Sequence, residues 1–333
     1  MSRARISRPI FIVGVPRSGT TLLRAILNKH PNIAICDETY FFYYVYSRRR
    51  AFGDLTRKDN RRRLVKAYLD TWRISRLGLE REDLESRLLR EGTSYPALLM
   101  SLLGAYAESR SKRRPGEKTP QHAEHIETLL EWFPDATVIH VVRDPRDVVA
   151  SLQNVPWGRR STASNARLWV GLVRAAERAA GRDGFLTLRY EDLVSDPEAS
   201  VRSLCRTLGE PYLAELISDP SQETPDRPWF SRAYQQPISR SRVGLWRREL
   251  SDGQAGIVEW IAGSLMKTHG YEPVMPPPSA LQKSGVSLYR VGESLRLKLL
   301  RLPGSWYHWL RPTNLAAEES WIDGRSSGAP DAN

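Results

Sequence analysis

The chain has 333 residues, 26% of them charged and 41% hydrophobic, a globular balance rather than that of a disordered chain, which allows one large α/β domain. Two cysteines exclude a disulfide framework and a cysteine-built metal cluster, and no run approaches the roughly 20 apolar residues of a membrane span. The formal charge of +12 implies an anionic partner, and composition does not separate an anionic nucleotide from nucleic acid.

The basic start, Met1 to Arg8, leads into an apolar run too short for a signal peptide, so a cytoplasmic location is expected. Pro9-Ile-Phe-Ile-Val13 reads as a buried strand, Gly14 to Thr21 as a turn, and Leu22 to Leu27 as a helix stopped by Pro31. Ile33 to Ile35 reads as a second strand, ending at Cys36-Asp-Glu-Thr39. Strand, glycine turn, helix and strand make a βαβ unit, which predicts an α/β fold with a P-loop-NTPase-like parallel sheet flanked by helices. Over about 47–114 the texture changes. Arginine clusters (Arg48 to Arg50, Arg61 to Arg63) flank apolar spacings such as Val65, Leu69 and Trp72, then Leu98, Leu99, Leu102 and Tyr106. These predict a helical insertion.

Sheet texture returns at Gly116-Glu-Lys118, followed by a helix over about Ala123 to Trp132. Ala136 to Val142 is apolar enough for a central strand of a parallel sheet. Asp144 and Pro145 mark a helix start as N-cap and N1 proline. A helix within Ala163 to Arg182, a strand at Phe185 to Leu188 and a helix from Pro197 to Leu208 follow. Pro276-Pro-Pro278 separates an α/β domain, 1–275, from a tail, 276–333. In the tail, Leu288, Val291, Leu295, Leu299 and Leu302 share one helical stripe, with Arg290, Lys298 and Arg301 around it and Trp306 and Trp309 beyond. A helix of this kind at 286–310 packs on its own domain or on a second subunit, or lies on an anionic membrane surface. From about Gly324 the composition reads as disordered.

Gly14-x-x-x-x-Gly19-Thr20-Thr21 has the spacing of a Walker A loop with threonine where the lysine belongs. Such a loop still binds anions: the amides of Ser18 to Thr21 open a helix, and the helix dipole favours negative charge there. Arg17 supplies the missing cation in a planar fork suited to tetrahedral oxyanions. A second phosphate site is expected at Arg143-Asp-Pro-Arg-Asp-Val-Val-Ala-Ser151, where a strand ends and a helix begins. Arg143 at the strand end and Ser151 about two turns into the helix can grip one phosphate.

The two sites together resemble the sulfotransferases that use 3′-phosphoadenosine-5′-phosphosulfate (PAPS), in which the first loop takes the 5′-phosphosulfate and the second site the 3′-phosphate. Val15-Pro-Arg-Ser-Gly-Thr-Thr-Leu22 and Val142-Arg-Asp-Pro-Arg-Asp-Val-Val149 look like the branch that includes tyrosyl-protein and many bacterial sulfotransferases. The likeness covers roughly residues 9–45 and 115–270. It implies transfer of a sulfuryl group to an acceptor hydroxyl, with adenosine 3′,5′-bisphosphate as product and no metal requirement. Such transfer needs a base on the acceptor and cations on the leaving phosphate. Glu38, after the second strand, is the expected base, at the family's spacing from the loop arginine; Asp37, His122 and His125 are its alternatives. The resemblance gives Lys118 the bridging oxygen, with Arg17 sharing the leaving charge. It places Tyr190 on the nucleotide, and Arg240 and Ser241 in a late basic segment that closes over it. Trp246 reads equally as core or as an adenine neighbour.

A nucleotide kinase or NTPase is the first alternative, weakened by the missing lysine and by the lack of an acidic Walker B strand. A nucleic-acid-binding protein using the arginine clusters is the second. The acceptor is a hydroxyl of unread class, and the elements that select it are expected in the insertion.

Overall fold

The computed structural model describes residues 8–155, 158, 161–218, 238–280 and 284. The helix expected at 286–310 and the disordered end lie outside the described residues. The chain divides into two compact units, Met1–Arg143 with Gly171–Val243, and Asp144–Val170 with Gly244–Asn333. No helix among the described residues is long and apolar enough to cross a membrane.

The first unit is built on a five-stranded sheet in the order β2-β3-β1-β4-β5. Its strands are β1 (Ile10–Gly14), β2 (Ile33–Cys36), β3 (Arg114–Lys118), β4 (Thr137–Val142) and β5 (Phe185–Arg189). Every pairing is parallel. β1 and β4 are continuous apolar runs because helices cover both faces of such a sheet. Helix α1 (Thr20–Asn28) follows β1, and Leu22, Leu23, Ile26 and Leu27 join Ile10, Ile12, Ile139 and Val141 in one core. α1 is longer at both ends than Leu22 to Leu27, since the turn's two threonines already belong to it.

The insertion between β2 and β3 begins at Phe41, earlier than its arginine clusters suggest. It holds α2 (Phe41–Tyr44), α3 (Arg49–Phe52), α4 (Lys58–Leu69), α5 (Trp72–Ser75), α6 (Arg81–Glu91) and α7 (Tyr95–Glu108). α7 starts at Ser94, whose side chain accepts from the Ala97 amide, and buries Leu98, Leu99, Leu102 and Leu103. β3 begins at Arg114, ahead of the expected Gly116. Pro115 is tolerated there because it pairs only with Ala34 of β2, and the register with β1 starts one residue later at Gly116. The helix expected over Ala123 to Trp132 is a 3-10 segment, Pro120–His125, running into α8 (Ile126–Trp132). α11 (Tyr190–Ser195) and α12 (Pro197–Leu208) follow β5 and pack on the α1 core.

Gly14, at φ +152°, closes β1 with no room for a side chain: a Cβ there would meet the Val141 carbonyl oxygen of the neighbouring strand. Backbone cannot step aside as a side chain can. Gly14→Ala is expected to lower stability by about 2–3 kcal/mol, read as the shift in a urea denaturation midpoint.

The second unit contains α9 (Pro145–Gln153), which Asp144 caps by accepting from the Arg146 amide. It also contains the first half of α10 (Thr162–Glu177) and a helix over Asp252–Thr268. The latter opens with a capping box, Ser251 with Gln254. Val149, Ala150, Ala166, Leu250 and Val258 bury Trp246 among them, which settles that indole as core. Arg146 is buried between Asp144 at 2.7 Å and Glu259 at 2.6 Å, with its guanidinium over the Trp246 ring. Asp147 accepts from the amides of Gly244 and Trp246. The second half of Arg-Asp-Pro-Arg-Asp is thus a structural lock.

Candidate active site

Parallel strands in this register end along one edge of the sheet. Gly14 lies opposite Val141, Cys36 opposite Glu117, and Val142 opposite Arg189. The residues at or just past each strand's end, namely the loop 15–19, Asp37-Glu38, Lys118, Arg143 and Tyr190, therefore share that edge, where open α/β sheets collect ligands.

The loop has the conformation its glycines and arginine imply. Ser18 donates its amide to the Val15 carbonyl at 3.1 Å, and Gly19 stands at φ +94° as the N-cap of α1 with no side-chain cap. Arg17 takes a left-handed φ of 76°, a cost of about 1–3 kcal/mol for a residue with a Cβ. The Ser18 hydroxyl is wholly buried and has no hydrogen-bond partner among the described residues. Gly19 leaves no space either, since a Cβ would press into the Tyr190 ring. A side-chain oxygen without a partner, beside uncapped helix amides, fits a phosphate or sulfate ligand.

Opposite this loop chemistry lies a compact charge cluster. Lys118, 2% exposed, places Nζ 2.6 Å from Glu38 Oε1 and 2.9 Å from Asp37 Oδ1. Arg73 of α5, equally buried, donates from Nη1 to Glu38 Oε2 at 3.1 Å. Burial alone would push the Glu38 carboxyl up, but Lys118 and then Arg73 outweigh it and hold the carboxyl below its usual range. Glu38 is ionised, 12% exposed and fixed at both oxygens. The sequence pointed to Glu38 and Lys118; Arg73, 35 residues away in the chain, it did not.

Beneath the cluster, Glu117 orders the turn that carries Glu38. Its Oε1 accepts from the Thr39 amide at 3.2 Å, the Thr39 hydroxyl at 2.5 Å and the Thr119 hydroxyl. His122 Nδ1 stands 3.5 Å from Glu117 Oε2, with its ring edge-on to Phe42. Burial would raise Glu117, but His122 and these hydroxyls hold it low. His122 is engaged below the turn, and His125 lies flat on Phe42 at 4.2 Å.

Arg143 is stacked over the Tyr190 ring at 4.5 Å and donates to the carbonyls of Arg17, at 3.0 Å, and Arg242. It therefore ties the phosphate loop to the late basic segment, a role its sequence position did not announce. Arg240 and Ser241 sit exposed in a 3-10 turn, Arg240–Arg242, with Ser239 and Ser241 hydroxyls 2.9 Å apart. Ser151 lies in α9 of the second unit, and its pairing with Arg143 remains an expectation of the motif. Among the described residues, no group of three or more His, Cys, Asp and Glu side chains could hold a metal ion.

Comparison with known proteins follows the same line. The model of a family described as "Sulfotransferase family" matches residues 9–214. A protein-tyrosine sulfotransferase of Drosophila melanogaster is 24% identical over 290 residues, covering 81% of this chain and 52% of the fly protein. The chain thus spans about half the length of that relative. An omega-hydroxy-beta-dihydromenaquinone-9 sulfotransferase of Mycobacterium tuberculosis is 28% identical over 322 residues, covering 82% of this chain and 78% of its own. The sulfotransferase domain of a Synechococcus olefin synthase superposes with a TM-score of 0.55 at 22% identity, over 81% of this chain and 98% of that one. At that identity the superposition shows the fold.

Proposed function

The chain belongs to the sulfotransferase family, and on that premise we propose that it transfers a sulfuryl group from PAPS to an acceptor hydroxyl. The observation that carries the reading is the Glu38–Lys118 ion pair on the sheet edge that also bears the phosphate loop. The uncapped amides of α1, the unpartnered Ser18 hydroxyl and Arg17 would hold the 5′ end of the nucleotide. Arg143, with the motif's Ser151, would take its 3′-phosphate, and Tyr190, Arg240 and Ser241 are assigned to the nucleotide on the family likeness. PAPS supplies an activated sulfuryl group with a good leaving phosphate.

Glu38 accepts the acceptor's proton, for which it must be ionised, and the cations around it keep it so. Lys118 compensates charge on the leaving side, and Arg17 shares that work. One ammonium serves both demands, so Lys118 turns from the two carboxylates toward the nucleotide when the site fills. A kinase or NTPase reading is not favoured, because the loop lysine is absent and the family is another. The relatives' names span tyrosine in protein and a hydroxylated menaquinone, so the acceptor is assigned here only as a hydroxyl. Incubation with sulfur-35 PAPS and a panel of tyrosine peptides, sugars, lipids and small phenols tests the proposal. Label should enter one class, and none in any class would refute it.

Arg143→Ala should weaken adenosine 3′,5′-bisphosphate binding by about 1.5–3 kcal/mol, roughly ten- to a hundredfold in Kd by calorimetry. Part of that loss is the loosened loop, since the Arg17 carbonyl loses its donor.

A further inference from the structure

We propose that Arg73, carried by the insertion, is the positioning residue of the base: it holds Glu38 in place when Lys118 is drawn to the nucleotide. The proposal rests on the sulfotransferase reading and deepens it. A carboxylate that loses one of two cations keeps its aim if the other stays, and Arg73 is so placed that it need not leave. It binds the oxygen that Lys118 does not, Oε2 against Oε1. Its guanidinium is sandwiched by aromatic rings of two elements, 4.2 Å over Tyr40 and 4.0 Å over Trp72. A planar, delocalised cation suits that slot, and an ammonium would not stack in it.

The surrounding insertion is braced against the same turn. Tyr68 of α4 donates its hydroxyl to the Thr39 carbonyl at 3.4 Å and packs edge-on to Phe41. Tyr40 sits in a left-handed conformation, φ 49°, that brings its ring under Arg73. Strain at this position, between the base and the insertion, is a mark of a functional constraint. The base is thus completed by a residue of the segment between β2 and β3, 35 positions from it in the chain, and changes in the insertion reach the chemistry through Arg73.

Among the described residues, the charged groups that act most strongly on Glu38 are Lys118 from β3, Arg73 from α5 and Asp37 from its own turn. Titration of the Glu38 carboxyl carbon by NMR, in full-length protein carbon-13 labelled at glutamate side chains and assigned with Glu38→Gln, tests the proposal. Arg73→Met should move the titration to higher pH, and further once adenosine 3′,5′-bisphosphate is added. Arg73→Lys keeps the charge but not the planar stack, so it should move the titration in the same direction but less than Arg73→Met. The bisphosphate Kd should stay within about threefold in both, because Arg73 belongs to the base and not to the phosphates. If Arg73→Met does not fold, Arg73→Gln carries the same expectation. A Glu38 titration unchanged in a folded, uncharged variant overturns the proposal. Wild-type protein that fails to bind the bisphosphate overturns the sulfotransferase reading instead, and the titration without nucleotide still reports on Arg73.

Discussion

Glu38→Gln is expected to cut turnover by about a hundredfold or more while adenosine 3′,5′-bisphosphate binds as before. The amide keeps the shape, but its one oxygen can accept from only one of Lys118 and Arg73 while its NH2 faces the other, so unchanged bisphosphate binding is the control for an assembled site; what is lost is the capacity to take a proton. The pH dependence separates this from general damage. In the wild type the protonated carboxyl is inactive, and two cations hold that carboxyl below its usual range. The kcat/KM for PAPS, which reports the free enzyme with both cations in place, should therefore persist as pH falls to the ordinary carboxylate range and drop only beneath it, and Glu38→Gln should remove that acid limb. The same sign governs stability. A carboxyl lowered by folding stabilises the native state above its unfolded pKa, and the contribution is lost as pH falls through the folded one. Retained activity in Glu38→Gln would move the base to Asp37, whose carboxylate shares the same ammonium.

Lys118→Met should be nearly as severe in turnover, roughly a hundred- to a thousandfold, because a preorganised cation at a developing charge is among the largest catalytic contributions. Its effect on bisphosphate binding should be much smaller, and single-turnover mixing with preformed PAPS complex measures the difference. The variant also removes the ammonium that Asp37 and Glu38 share. Lys118→Arg should not rescue it, since the buried slot holds a compact ammonium between two carboxylates. Equal loss of binding and turnover would mean that Lys118 holds the nucleotide in its ground state only.

Much of this site was legible in the sequence for local reasons. Gly14, Gly19 and the threonines between strand and helix are a short-range pattern whose backbone follows from it. The parallel sheet followed from apolar runs separated by helical spacings, and Asp144-Pro145 announced its own helix. Glu38 and Lys118 were marked by their positions at strand ends and by family likeness, but their ion pair was not, since it joins β2 to β3 across the insertion. Arg73 was hidden for the same reason; the Glu117–His122 pair is local, but its place under the Thr39 turn follows only from the pairing of β2 with β3. Arginine in a charged segment reads as solvated until the fold wraps two rings around it. The start of the insertion is hidden because Tyr40 to Tyr46, aromatic except for Val45, carry no period. Pro115 disguised the start of β3. The Ser251-x-x-Gln254 box is a readable signal for the start of the Asp252–Thr268 helix.

The central claim, a site shaped for a 3′-phosphorylated adenine nucleotide, is tested most directly by calorimetric titration with adenosine 3′,5′-bisphosphate in chelator, beside ATP with magnesium. Saturable binding of the bisphosphate without metal, much tighter than that of ATP, is the predicted result. Tight binding of magnesium-ATP with none of the bisphosphate would contradict it.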